Sequence, residues 1–162
     1  MLYSAGMDMV IIKSKLWNPN PKTKYFMNQC AFPKSSSQTF VNPPMAHSIE
    51  MNSRGDKLMV GCGDGKIYWI TTGGLKITQK FEVSLGCVQK VGYFNHDSLY
   101  LIGTPNQLQC RSSCAYETIF ARDFNGINDF CANETTKQIL VCDNSTNVYL
   151  FDSVEENEDE EM

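Results

Sequence analysis

Residues 47–70, HSIEMNSRGDKLMVGCGDGKIYWI, decide how the whole chain is read. They open on a short alternating run, His47-Ser48-Ile49-Glu50-Met51, and turn at Asn52-Ser53-Arg54-Gly55-Asp56. An apolar run over 57–61 leads to a second turn, Gly63-Asp64-Gly65, and then to a β-rich run that ends in Trp69 and Ile70. Asp-Gly between two such runs is a hairpin signal, because glycine supplies φ > 0 without steric cost. Three antiparallel strands in succession are predicted. The run over 75–81 alternates Leu75 and Ile77 against Lys76 and Thr78 before Phe81, as a half-exposed fourth strand at a sheet edge would.

The same punctuation returns downstream. Residues 87–94 read as a strand, Asn95-His96-Asp97-Ser98 as a turn, 99–103 as a strand and Thr104-Pro105-Asn106 as a turn, with further strands at 107–111 and 117–122. The next round has strands at 126–131, 138–142 and 147–152, separated by turns at 133–136 and at Asp143-Asn144-Ser145-Thr146. The second turns, at Asp64, Asn106 and Asn144, stand 42 and 38 residues apart. Upstream, 2–6 and 9–12 are two short β-rich runs around Met7-Asp8, Leu16-Trp17-Asn18 follows, and 24–27 suits an outer strand. Asn18-Pro19-Asn20-Pro21 and Asn42-Pro43-Pro44 are rigid turns, and 33–38 is an exposed loop.

Turn, strand, Asp-Gly turn and a strand ending in Trp, repeated about every 40 residues, resembles the WD-repeat family. The resemblance implies an all-β chain, an incomplete β-propeller of about three blades plus partial blades, like the C-terminal portion of a longer WD-repeat protein. Its units would be about 1–30, 45–82, 86–123 and 126–152, within a domain of 1–152. Asp8, Trp17, His47, Asp64, Trp69, Asp129 and Asp143 fall at structural repeat positions. In the family, a His near the first strand, an Asp in the second turn and a Trp ending the third strand form a polar network. His47, Asp64 and Trp69 take those places, and Trp17 matches Trp69 if a bulge or small insertion follows Asp8. A sheet that is apolar on both faces must stack on neighbours. The chain enters inside a second strand and leaves after a third, so both end faces are expected open, with Val10, Ile12, Ile139 and Val141 partly exposed or paired with another chain.

Composition bounds the function. A chain of 162 residues, 42% hydrophobic and 20% charged, is one ordinary globular domain. It has no apolar run near the ~18 residues that cross a membrane, and no basic start followed by an apolar segment of the secretory kind. The seven Cys are odd in number and partly set in apolar runs, which reads as small buried hydrophobes in a reducing intracellular compartment, cytoplasmic or nuclear. Cys110 and Cys114 have no second pair, His47 and His96 lie at no metal-ligand spacing, and Gly61-Cys62-Gly63-Asp64-Gly65 is followed by no Lys-Ser/Thr. No catalytic, cofactor-binding or metal residue is therefore assigned, and the chain reads as a non-enzymatic scaffold for protein–protein interactions. Its partners would be other proteins, including a chain that completes the propeller.

The basic residues Lys13, Lys15, Lys22 and Lys24 are too diffuse for a nucleic-acid platform. The alternatives are an enzyme using Cys110, Cys114 or Asp64, a nucleic-acid-binding module, and a substrate receptor of a ubiquitin ligase. The last rests on Ala5-Gly6-x-Asp8-x-Val10 and Trp17-Asn18, which resemble the start of an adaptor-docking motif; Pro19-Asn20 stand where an apolar residue and Arg belong.

The net charge of −4 is a property of the tail. Residues 152–162 hold seven acids and no base, leaving a body of +3. Residues 153–162 read as a disordered acidic tail without apolar partners. Deleting them should change stability by no more than about 0.5 kcal/mol, as for surface changes generally. Thermal unfolding of the shortened chain checks this, and a loss of several degrees would mean that the tail packs on the domain.

Overall fold

Within each sheet the strands pair in sequence order, most of them through turns of three to five residues, in the computed structural model, which describes residues 1–7, 10–14, 26–31, 45–83 and 86–152. Sheet I holds β1 (Leu2–Ala5), β2 (Val10–Ser14) and β3 (Phe26–Ala31). Sheet II holds β4 (Ala46–Met51), β5 (Lys57–Cys62), β6 (Lys66–Thr71) and β7 (Ile77–Glu82). Sheet III holds β8 (Lys90–Phe94), β9 (Leu99–Gly103), β10 (Gln107–Ser112) and β11 (Thr118–Asp123). Sheet IV holds β12 (Ile127–Asn133), β13 (Gln138–Asp143) and β14 (Val148–Asp152). Each is an antiparallel meander, and every regular element among the described residues is a strand. The all-β reading of the sequence stands, strand by strand, to within a few residues at each end.

Glycine serves where the sequence placed it: Gly55 and Gly65 carry φ of 71° and 79° in the two turns of sheet II. The turn between β6 and β7 behaves otherwise. Leu75, not Gly73 or Gly74, takes the left-handed conformation, with φ 50°, and Tyr116 does the same at the matching place in sheet III, with φ 58°. Both amides bond back four residues, Leu75 N–H to Thr71 O at 2.9 Å and Tyr116 N–H to Ser112 O at 3.0 Å. Burial of Leu75, at 4% exposure, offsets the steric cost of that conformation.

The registers bring the four sheets into correspondence. At the turn end of the central hairpin, Ala5 faces Ile11, Gly61 faces Ile67, Gly103 faces Leu108 and Cys142 faces Val148. Two positions further along, Tyr3 faces Lys13, Met59 faces Trp69, Leu101 faces Cys110 and Leu140 faces Leu150. β1 therefore holds the place of a second strand, as the sequence implied. The position of Trp69 in sheet I, however, belongs to Lys13, so no bulge separates the turn from it; Trp17 and Asp8 lie outside the described residues. Lys13 stretches over the Tyr3 ring at 5.8 Å and donates to Thr72 O at 2.7 Å.

The sheets stack in chain order, with β4 against β1 and β8, and β8 against β12. Each sheet has a leading face toward the next sheet and a trailing face toward the one before. Ile11 of sheet I packs with Leu58, Val60, Tyr68 and Ile70 on the trailing face of sheet II. Met59, Ile67 and Trp69, on its leading face, pack with Val88, which precedes β8, and with Val91, Tyr100 and Ile102 of sheet III. Leu101, Leu108 and Cys110 then pack with Ile127, Phe130, Ile139 and Val141. Two expectations change here. Ile139 and Val141 are buried in this last joint, at 8% and 0% exposure, because they point back toward sheet III; the apolar residues that stand open are Leu140, Val148 and Leu150. The cysteines divide as well: Cys62 and Cys110 are buried, whereas Cys114 and Cys131 are exposed.

Glycine 61 allows the joint between sheets II and III to close. A Cβ there would lie 2.6 Å from Val88 Cγ1 and 3.0 Å from Val91 Cγ1. Gly61→Ala should destabilise the protein by about 1–3 kcal/mol through overpacking. Adding Val88→Ala should cost less than its effect in the wild-type background, a coupling that a double-mutant denaturation cycle measures.

Candidate functional site

The turns between first and second strands lie side by side along one end of the stack and are tied across the sheets. In sheet II, Asn52 Oδ1 accepts the amides of Asp56 and Lys57, at 3.1 and 3.0 Å, which leaves Ser53 and Arg54 at the tip. Asp97, at the tip of the next turn, accepts from Ser53 N–H at 2.9 Å and Ser53 Oγ at 2.5 Å. The following turn repeats the tie, with His96 N–H donating to Glu134 at 3.2 Å and Lys137 closing on the same carboxylate. Ser113 Oγ donates to Asp97 O at 2.7 Å and brings the β10–β11 turn onto this rim.

Three successive residues of the middle turn, Asn95, His96 and Asp97, have φ of 51°, 54° and 64°. Left-handed backbone at three non-glycine residues is costly and is held here by side-chain bonds from both neighbouring sheets. The rim is thus preorganised. Between the first two turns lies an open groove of about 300 Å³ bordered by Ser53, Arg54, His96, Asp97 and Cys114. Beneath it is a cavity of about 140 Å³ with Lys57, Trp69, Tyr93, Tyr100 and Tyr116 in its wall.

Those rings lock sheet II to sheet III. Trp69 stands edge-on to Tyr100 and Tyr116, at centroid distances of 5.6 and 6.1 Å, and the Tyr116 hydroxyl donates to Gln79 at 2.9 Å. The Tyr100 hydroxyl is buried without a protein partner. Burial pushes its pKa up to about 12, with the Arg111 charge opposing. Tyr93 is raised too, by burial and then by the Asp97 charge, so both phenols stay protonated donors.

The residues singled out in the sequence divide among separate places. His47 is exposed at the bulge where β4 shifts register on β5. Asp64 accepts from the Tyr68 hydroxyl at 3.0 Å and from Lys66 N–H at 3.2 Å, so its partners are the strand it introduces, not His47 or Trp69. Trp69 fills the joint. Asp129 pairs with Lys90 across sheets III and IV at 2.9 Å. Asp143 caps its own turn, accepting the Ser145 amide at 2.9 Å and the Ser145 hydroxyl. Sequence reasoning passed over Ser53, Asp97 and Glu134; a polar residue in each first turn was the available signal, and only stacking shows that they meet.

Burial holds the Cys110 thiol up at about 11 and raises Cys62 further, so neither supplies a thiolate near neutral pH. Among the described residues no group of three His, Cys, Asp or Glu could hold a metal ion, and no helix is long and apolar enough to cross a membrane. No family model matches the chain, and no curated protein matches it.

The Ser145 hydroxyl bond, aided by the Ser145 and Asn125 amides and opposed by burial, holds the Asp143 carboxyl below its ordinary value of 3.8. A lowered carboxylate contributes stability that is present above the ordinary value and is lost as pH falls through the folded one. Ser145→Ala should therefore lower the denaturation midpoint at neutral pH. The gap from wild type should close in strong acid, as paired urea titrations at the two pH values would record.

Proposed function

We propose that the four sheets are successive blades of WD-repeat type in an incomplete propeller, and that the chain is a non-enzymatic scaffold that binds other proteins through the rim of first turns. The observation that carries this reading is the rim itself. Ser53–Asp97 and His96–Glu134 bonds tie three turns from three sheets into one fixed, solvent-facing edge. The spacing of about 40 residues and the repeated leading and trailing faces support the blade assignment. Fixed turns with exposed Arg54, His96 and Glu134 offer hydrogen bonds and mixed charge to a protein surface, at little entropic cost on binding. That pattern of both signs is unlike the one-signed stripe a phosphate backbone selects.

Co-purification from cell extract with wild-type chain and with an Arg54→Glu variant tests the reading. The substitution is at an exposed position and should leave stability within about 0.5 kcal/mol. A protein held in fixed ratio by the wild type and lost from the variant is the expected result. Binding that is destroyed by nuclease and falls steeply with salt would replace the scaffold with a nucleic-acid module. An activity abolished by changing Cys114 or Asp64 in folded protein would replace it with an enzyme.

A further inference from the structure

The cavity beneath the rim lies in the joint between sheets II and III, with Trp69 in its wall from one sheet and Tyr93 and Tyr100 from the other. Asn52, Lys57, Asp97 and Ser113 border both this cavity and the groove between the first two turns, so the two adjoin. Thr78 and Gln79, also in the wall, are exposed, so the cavity reaches solvent. At about 140 Å³ it has room for several waters, each filling about 30 Å³ of liquid, or for the end of one side chain.

Most protons of the wall are already spent on the protein. Thr78 Oγ1 donates to Trp69 O at 3.1 Å, Ser113 Oγ to Asp97 O at 2.7 Å and the Tyr116 hydroxyl to Gln79 at 2.9 Å. The Asn52 amide nitrogen donates to Asp56 at 2.7 Å. What the three hydroxyls have left to offer is lone pairs. Asp97 adds a carboxylate, held by the amide and hydroxyl of Ser53. Tyr93, whose oxygen takes a hydrogen bond from Trp69, stays neutral beside that charge. Rings make much of the remaining wall, and Trp69 is set at 86° to Tyr100 and 75° to Tyr116. Rings at such angles form a corner, not the flat slot in which a nucleobase stacks. Acceptors, a carboxylate and aromatic rings are together the complement of a cation that brings its own N–H donors. Among the described residues of the wall the one cation is Lys57, which is exposed and opposes any second positive charge.

We propose that this cavity is the socket for a basic side chain, lysine or arginine, of a protein docked on the rim, with the charged head against the rings of Trp69, Tyr93 and Tyr116 and paired with Asp97. The source of the side chain rests on the scaffold reading of the rim, but the socket is testable without a native partner. A carboxylate fits the same place poorly, since Asp97 repels it, ring faces are negative and few donors are free.

Heteronuclear NMR of the full chain tests the proposal through the indole N–H signal of Trp69, told apart from that of Trp17 by a Trp17→Phe variant. The probes are acetyl-Gly-X-Gly-amide peptides in which X is lysine, arginine, glutamine or glutamate. The lysine or the arginine peptide should move the Trp69 signal saturably, and the glutamine and glutamate peptides should leave it in place. Lys57→Gln should tighten that binding several-fold, because the opposing charge is gone. Tyr116→Leu keeps an apolar wall without the π face and should weaken it about tenfold. Should Tyr116→Leu not fold, Asp97→Asn takes its place with the same expected loss. A glutamate peptide that binds, and is lost in Lys57→Gln, overturns the proposal. So does an equal response to the lysine and glutamine peptides, or a Trp69 signal that no peptide moves in either wild type or Lys57→Gln. Peptide binding that persists where no protein co-purifies with the wild-type chain would keep the socket and remove the scaffold reading, so the two fail separately.

Discussion

Burial of a sheet's two faces by its neighbours is the constraint on which this structure depends. A meander of three or four short strands satisfies its own backbone hydrogen bonds yet leaves apolar side chains on both sides, and here the solution is to stack such meanders in chain order. The joint between sheets II and III illustrates what that requires. Met59, Ile67 and Trp69 must reach across to Val88, Val91, Tyr100 and Ile102, and the backbone must come close enough for them to interdigitate. Gly61 permits that approach by presenting no Cβ to Val88, and Gly92 and Gly103 permit it one joint later by leaving room for Phe130.

Polar groups then pin what burial brings together. Val91 N–H donates to Ser48 Oγ at 3.2 Å between the first strands of sheets II and III, and Val88 N–H donates to Cys62 O at 2.9 Å beside them. Ala46 N–H makes the corresponding bond to Gly6 O, at 3.3 Å, one sheet earlier. At the outer side, Arg111 lies over the Phe81 ring at 4.8 Å, and Arg122 lies over Phe151 at 5.0 Å. There the guanidinium groups themselves lie against the ring faces, a cation–π arrangement that covers apolar surface. The rim of first turns belongs to the same set of ties, so the registration of the sheets rests in part on those few bonds.

The interior polar groups have consequences for chemistry. The buried thiols of Cys62 and Cys110 and the buried phenol of Tyr100 are all pushed toward their neutral forms, which suits packing and removes them as nucleophiles or bases near neutral pH. The Asp97 carboxylate is engaged with the amide and hydroxyl of Ser53 in the neighbouring turn, and that of Asp143 with the amide and hydroxyl of Ser145 in its own. Their charge positions backbone.

By itself the sequence determined the strands, the turns and their order, because those are local matters. Asp64-Gly65 and Arg54-Gly55 set hairpins through backbone freedom at glycine, and the alternation of 75–81 marked an edge strand through its polar half. The recurrence of the second turn at intervals of 42 and 38 residues likewise implied equivalent units. Tertiary structure alone decided which face of each strand meets which neighbour. Leu140 and Val141 are adjacent and equally apolar, so composition cannot say that one is 42% exposed and the other fully buried; the side of the sheet on which sheet III lies decides it. The place of Trp69 in sheet I passed to Lys13 for the same reason, since register counts residues from the turn and takes no account of side-chain kinship. The rim of Ser53, Asp97 and Glu134 was hidden in the sequence because its members lie about 40 residues apart in three unremarkable turns, and only the stacking of sheets makes them neighbours.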